Sequence, residues 1–432
     1  MRVLVIGSGA REHALCWALS RSPRLTALYC APGNEGIAAL ATCVALDPMD
    51  FAACADWAEQ NAIDLTVVGP EDPLCGGIVD VFQAQGLAVF GPTAAAARIE
   101  GSKAWTKRLL LDAGIPTAPA AIFDDRAAAE AYLARREAKA QAQGVDCYPL
   151  VIKADGLAAG KGVYIVKDGQ TARDALDDLL VKRLLGAAGE TILIEDFLPG
   201  VELSLFALTD GERVVALAPA CDYKRAYDGD EGPNTGGMGA YSPPAFATPE
   251  LLRDIEARVL RPTVAALAAA GAPFRGLLYA GLMLTANGPS VLEYNARFGD
   301  PETQVVLPRL QSDLLELCAA VARGRLDEAP ALTWTSEVAC GVVVASGGYP
   351  GPYEKGAPIT GLETLDDDVL VFHAGTSRAD DGQLVTAGGR VLTVVALGAN
   401  MAAARERVYA NVGRVRFAGA RYRTDIAARE LA

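Results

Sequence analysis

The stretch Val151 to Gly162, VIKADGLAAGKG, decides the reading of this chain. Val151 to Lys153 is a short apolar run ending in a lysine, the pattern of a buried strand. Asp155-Gly156-Leu157-Ala158-Ala159-Gly160-Lys161-Gly162 then follows with little side-chain bulk. Backbone amides in such a loop can approach phosphate oxygens closely. The loop is not a Walker A: the spacing from Gly156 to Gly160 is one residue short, and Gly162 stands where a hydroxyl should meet magnesium. A metal serving these phosphates must therefore be held elsewhere. Taken alone, the stretch also fits a mobile Gly/Ala hairpin with a solvated lysine. Lys153 and Lys161, flanking the glycines, favour phosphate.

Downstream, Glu293 and Asn295 lie two apart on a strand and share a face, while Leu292 and Tyr294 point to the other. Such an oxygen pair can hold Mg²⁺, which takes one or two carboxylates beside ATP phosphates. Arg297 follows and can steady charge on a transferring phosphoryl group. The bland alternative is an edge strand with polar residues facing water. Glu195 and Glu202 bracket a crossover between two strands that can offer backbone groups to a base and a carboxylate to a ribose hydroxyl, or are simply solvated glutamates. Asp222-Tyr223-Lys224-Arg225 and GPNTGGMGAY at 232–241 read as a polar, glycine-heavy loop of a length that is usually functional or disordered. Lys224 and Arg225 there either bind a substrate phosphate or cap a surface turn.

The first ninety residues alternate apolar runs, Val3 to Ile6, Leu28 to Cys30, Leu65 to Val68 and Leu87 to Phe90, with helical stretches. This is the pattern of a parallel sheet whose carboxyl-end turns bind ligands. Gly7-Ser8-Gly9 fails the dinucleotide fingerprint, because Glu12 takes the third glycine position and no acidic residue ends the second strand. It remains a helix N-terminus suited to a phosphate or carboxylate. His13, beside it, reads as a packed histidine. A helical segment from Ala94 to about Ala113 and a helix from Arg126 to Ala142 are expected next. Strands at 191–198, 201–210 and 212–220 suggest one antiparallel sheet, with Asp210-Gly211 as a hairpin turn. A helix over roughly 249–270 precedes a hairpin that pairs GLLYAGLMLT with SVLEYN across Ala286 to Pro289. The last third is mostly β, with one helix near 400–411.

At 432 residues the chain is long enough for about two to four domains. Its 39 basic and 53 acidic residues give a charge of −14, which argues against a sequence-independent nucleic-acid binder. No apolar run reaches the roughly 18 to 20 residues of a membrane span, and the N-terminal apolar run is too short for a signal peptide. Both point to the cytoplasm. The nine scattered cysteines contain no C-x-x-C pair and read as buried free thiols. Two histidines, His13 and His373, leave carboxylates, lysines, arginines and amides to do the chemistry.

GSGAREHA, APGNEG, GPEDPL, FGPTAAAARIEGSKAWTK, VIKADGLAAGKGV, GPNTGGMGAYSP, GLLYAGLM, LEYNARFGDPETQ and GGYPGPY, in that order, resemble the phosphoribosylamine–glycine ligase family (glycinamide ribonucleotide synthetase) of the ATP-grasp superfamily. The resemblance covers nearly the whole chain. It implies a multidomain α/β and α+β fold: an N-terminal parallel-sheet domain over 1–102, an ATP-grasp core over 103–325 with a mobile lid at about 118–190, and a β-rich C-terminal domain over 326–432. It implies ligation of glycine to 5-phosphoribosylamine through glycyl phosphate, with ATP and Mg²⁺ or Mn²⁺, in a monomer or weak dimer with no nucleic-acid or membrane partner. Lys103 and Lys153 would contact ATP phosphates beneath the loop carrying Gly156, Gly160, Lys161 and Gly162. Glu195, Phe197 and Leu198 would meet adenine, Glu202 the ribose, and Glu293 and Asn295 the metal. Arg297, Lys153 and Asp222 would be catalytic. The substrates would lie against Gly7, Ser8, Gly9, Gly33, Asn34, Pro70, Glu71, Asp222, Lys224, Arg225, Asn234, Gly236, Gly237, Met238 and Arg297. Many ATP-grasp enzymes place an acidic metal ligand on the preceding strand, where this chain has Tyr279-Ala280-Gly281-Leu282. Another ATP-grasp ligase is the rival that GPNTGGMGAYSP and RFGDPE disfavour.

Overall fold

The computed structural model of the chain describes residues 1–158 and 162–431. The first hundred residues form the expected parallel sheet, in the order Thr42–Cys43, Ala27–Pro32, Arg2–Gly7, Leu65–Val68, Val89–Phe90. Val3 and Val5 enter one hydrophobic core, Leu4 and Ile6 another. Both faces are covered, which is why these strands are continuous apolar runs.

Residues 94–113 form two helices where one segment was expected. Ala94–Gly101 stops, and Lys103–Asp112 starts, at Ser102, whose extended backbone breaks the helix. Ser102 Oγ accepts from the Trp105 amide at 3.1 Å, an N-cap that offsets the break.

Strands 191–198 and 201–210 belong to two sheets, not one. Ile192–Asp196 is central in a small antiparallel sheet of order Ala120–Phe123, Ile192–Asp196, Leu150–Ala154, Val163–Val166. Helices Arg126–Gln143 and Gly169–Leu176 cover it, around a core that includes Leu133, Ile152, Leu176 and Ile194. Val201–Asp210 is central in a larger sheet of order Val214–Ala216, Val201–Asp210, Arg275–Thr285, Gly288–Asn295. Gly200 makes the passage: a Cβ there would lie 2.3 Å from the Leu284 carbonyl oxygen. Of residues 212–220 only Val214–Ala216 is strand.

The expected hairpin forms with a tighter turn. Thr285 pairs with Gly288, leaving Ala286-Asn287 between the strands. The register then shifts: Leu282 faces Val291 while Gly281 faces Glu293, so Leu292 is bulged out of the ladder.

A second five-stranded sheet runs Cys221–Asp222, Gly239–Ser242, Val338–Ala345, Arg390–Gly398, Val369–His373. Its first two strands come from mid-chain. The expected long loop at 232–241 is thus the end of strand Glu231–Asn234, a short turn, and most of strand Gly239–Ser242. All nine cysteines are free and six are buried. Among the described residues no helix is long and apolar enough to cross a membrane.

Candidate active site

Lys153 of the decisive stretch and Lys107 of helix Lys103–Asp112 converge on one carboxylate. Lys153 Nζ lies 2.9 Å and Lys107 Nζ 3.1 Å from the two oxygens of Glu195, and all three side chains are buried. Burial alone would push the Glu195 pKa up, but the two lysines outweigh it and hold the carboxyl below its ordinary value. Glu195 is therefore no solvated turn residue. It pairs with Ala120 on one side and Val151 on the other, which encloses its backbone in the sheet. The strand ends at Asp196, and Phe197 and Leu198 follow outside it.

Lys153 also reaches across to the larger sheet. Its Nζ donates to the Leu292 carbonyl at 2.9 Å, on the residue that the bulge lifts from the ladder. Next along that strand, Glu293 and Asn295 are half-buried. Among the described residues neither side chain has a hydrogen-bond or ion-pair partner. Burial opposes ionisation of Glu293, yet Lys224, Lys153, Lys103 and Arg297 together keep its pKa below the ordinary value. An ionised carboxylate beside an amide oxygen is a donor set that fits a hard divalent cation. No group of three His, Cys, Asp or Glu side chains suited to a metal occurs among the described residues. Two protein ligands would leave the remaining positions of such a cation to phosphate and water. Gly281 has a reason here: a Cβ on it would lie 3.2 Å from Glu293 Cγ.

The base of the glycine loop is anchored differently from expectation. The Gly156 amide donates to the Ala188 carbonyl at 3.1 Å, so it is taken and does not face a phosphate. Gly156 is required by packing, since a Cβ would meet Ala188 Cα at 2.8 Å. Lys103 Nζ donates to the Gly156 carbonyl at 3.2 Å. The Gly162 carbonyl accepts from the Ala154 amide at 2.8 Å. Gly160 and Lys161 lie outside the described residues.

Several expected substrate contacts are engaged internally. Lys224 Nζ pairs with Glu202 at 2.8 Å and lies 3.9 Å from Asp222, so it is no free phosphate cation. Burial pushes the Asp222 pKa up to about 7. Arg225 donates to the Gly232 carbonyl at 2.7 Å, capping its own hairpin. Asn34 spends its amide on the Ser8 and His373 carbonyls and its oxygen on the Gly36 and Ile37 amides, so no polar atom of that side chain is left for a ligand. Met238 is fully buried, with its amide bonded to the Tyr223 carbonyl and its carbonyl to the Val343 amide. The Gly236 amide donates to Tyr349 Oη at 3.0 Å, and its carbonyl accepts from Arg390 at 2.7 Å. Gly237, at φ +113°, packs against Pro301 where a Cβ would clash. Gly33 is left-handed at φ +75°, Asn234 pairs with Arg225, and Pro70 caps helix Glu71–Gly76.

The N-terminal turn is not an open anion site. Glu12 folds back so that its Oε2 accepts from the Gly9 amide at 2.6 Å, and its other oxygen pairs with Arg11 at 2.5 Å. A Cβ on Gly69 would lie 2.1 Å from Glu12 Oε1, so the carboxylate packs directly on the Gly69 backbone. Arg11 continues to Glu71 at 3.5 Å. His13 is buried, its Nδ1 accepts from the His373 amide at 2.9 Å, and burial lowers its pKa to about 3. A recess of about 420 Å³ lined by His13, Trp17, His373 and Arg378 lies beside this pair, away from Glu293 and Lys153.

Arg297 joins the first sheet to the larger one. It pairs with Glu71 at 3.2 Å and Glu100 at 3.0 Å. Burial would push Glu71 up, but Arg297 and Arg11 hold it down to about 2. Burial wins at Glu100, which is pushed up to about 7 despite Arg297. Glu100 was missed in the sequence, as was Glu302, which is buried and accepts from Tyr279 Oη at 2.5 Å. A charged residue in an otherwise alanine-rich helix was the available signal for Glu100; for Glu302 it was the acidic pair in GDPE.

Comparison with known proteins gives a consistent picture. Profiles described as phosphoribosylglycinamide synthetase N domain, ATP-grasp (A) domain and C domain match residues 1–100, 101–303 and 339–429. The phosphoribosylamine–glycine ligase of Halalkalibacterium halodurans is 49% identical over 433 residues, covering 100% of this chain and 98% of its own. That of Escherichia coli O157:H7 is 48% identical over 414 residues, covering 95% and 94%. The crystal structure of phosphoribosylamine–glycine ligase from Thermotoga maritima, 34% identical, superposes with a TM-score of 0.83 over 99% of this chain and 100% of its own. The biotin carboxylase domain of Hydrogenobacter thermophilus 2-oxoglutarate carboxylase, solved with MgADP and bicarbonate, shares the fold at 16% identity, with a TM-score of 0.70 over 98% and 91%.

Proposed function

This chain belongs to the phosphoribosylglycinamide synthetase family, and from that premise we propose how its own residues perform the family's reaction. It catalyses the ATP-dependent ligation of phosphoribosylamine and glycine, the glycinamide ribonucleotide synthetase step of purine biosynthesis. It uses ATP and a divalent metal.

In our reading the γ-phosphate passes to the glycine carboxylate, and the amine of 5-phosphoribosylamine attacks the resulting glycyl phosphate. Such chemistry needs positioning and charge neutralisation rather than a protein nucleophile, in keeping with the two histidines of the chain being tied up in packing. Glu293 and Asn295 hold Mg²⁺ or Mn²⁺, which when bound neutralises phosphate charge and orients the transferring group. Lys103 and Lys153 bind phosphate oxygens, and Glu195 keeps the Lys153 ammonium in place. Phe197 and Leu198, just beyond the sheet, meet adenine through the backbone. Glu202, steered by Lys224, takes the ribose hydroxyls. Arg297, held by Glu71 and Glu100, faces the charge that develops at the acyl phosphate, while Asp222 lines the acceptor side. The units act as 1–102, 103–325 with a lid at about 118–190, and 326–432.

The observation that carries this reading is the Glu293 and Asn295 pair, without partners among the described residues, on the strand that Lys153 reaches from the facing sheet. Purified enzyme incubated with ATP, Mg²⁺, glycine and phosphoribosylamine should release ADP only when both co-substrates are present. Release at the same rate without the amine would overturn the assignment.

A further inference from the structure

We propose that Glu100 is a positioning residue, and that the elbow Glu100 to Ala104 couples the base of the glycine loop to the metal-bearing strand. The inference rests on the reading of Glu293, Asn295 and Arg297 given above.

Glu100 is 6% exposed and uses both carboxylate oxygens on the segment that leaves the metal strand. Oε2 accepts from the Ala296 amide at 2.7 Å, one residue after Asn295, and Oε1 pairs with Arg297 at 3.0 Å. One side chain thus fixes where the backbone goes after Asn295 and where the guanidinium points.

Two residues on, the chain grips the other half of the site. The Ala104 amide and Ser102 Oγ donate to Asp155 Oδ1 at 2.6 and 3.0 Å, and the Lys103 amide donates to the Asp155 carbonyl at 3.1 Å. Lys103 Nζ reaches the Gly156 carbonyl. Asp155 opens the glycine loop, so five consecutive residues bind both the loop base and the metal strand. The break at Ser102 makes this possible, because a continuous helix would turn these side chains around one axis instead of toward two partners. A buried carboxylate is costly, and an apolar residue of similar volume would avoid the cost. Its retention here, on two groups of the site, is explained by positioning.

The test compares wild type, Glu100→Gln, Asp155→Ala and the double variant. Titration calorimetry reads the Kd of Mn²⁺·ATP, and steady-state kinetics read kcat and KM. Glu100→Gln keeps the volume and one acceptor, and should lower kcat about tenfold while KM for ATP moves less than about twofold. Coupling should appear in the cycle on kcat: the double variant should lower kcat by at least about fivefold less than the product of the single effects. If Asp155→Ala does not fold, Ser102→Gly, which spares the cap conformation, replaces it. Independent, multiplying effects on kcat, or a Glu100→Gln enzyme equal to wild type, would overturn the proposal. Glu293→Gln is run alongside. If it binds Mn²⁺·ATP as wild type does, the metal assignment fails; if it loses binding while the cycle is additive, only the coupling fails.

Discussion

The small sheet of residues 120–196 and the larger sheet of residues 201–295 meet where Lys153 touches the bulged Leu292, yet they are anchored in opposite ways. The small sheet encloses a core drawn only from residues 129–194. The larger sheet has no core of its own. Leu203, Leu205 and Ala207 enter a core shared with the first and last sheets, and Phe206 and Leu208 enter a second one. Moving the small sheet as a body exchanges a few polar contacts, whereas moving the larger one opens two shared cores. The charges follow the same division. Lys153 and Lys107 share the single carboxylate of Glu195, which leaves net positive charge on that side, while the half-buried Glu293 and Asn295 have no partner among the described residues. The proposed clamp would use this asymmetry, with one jaw that moves and one that holds the metal fixed.

The largest expected effect breaks the fixed jaw. Glu293→Gln keeps shape and removes the charge, and should lower turnover at least about 10²- to 10³-fold while circular dichroism stays unchanged. Near wild-type activity would remove the metal from this sheet.

A smaller effect sharpens the same division at the seam with the first sheet. Glu71 ionises more readily folded than unfolded, its pKa falling from 4.5 to about 2. Its contribution to stability is complete above the ordinary carboxylate range and is lost as pH falls toward about 2. The difference in thermal midpoint between wild type and Glu71→Gln should therefore shrink from about pH 6 to about pH 3. A constant difference would show that Glu71 contributes no ionic tie to Arg297 and Arg11.

Much of this was legible in the sequence because it depends on local pattern. The apolar runs of the first sheet, the Glu293-x-Asn295 spacing and the hairpin around residue 287 all follow from alternation and turn chemistry. The transfer from one sheet to the other at Gly200 was hidden, since both flanking strands have the same alternation and only the Leu284 carbonyl forbids a side chain there. The Leu292 bulge is a register shift that composition does not mark. Asn34 and Lys224 look like ligand residues, but their partners lie in the backbone around them or on a neighbouring strand. Glu100 and Glu195 take their meaning from contacts with Ala296 and Lys107, 196 and 88 positions away.

The account stands on the small sheet closing over a nucleotide whose metal is held by the larger one. Amide hydrogen exchange with and without ATP and Mg²⁺ tests this most directly. Residues 150–158 and 162–196 should gain protection on binding, while residues 201–210, already locked between two cores, should exchange at unchanged rates. Equal gains in both sheets, or none in the small one, would contradict it.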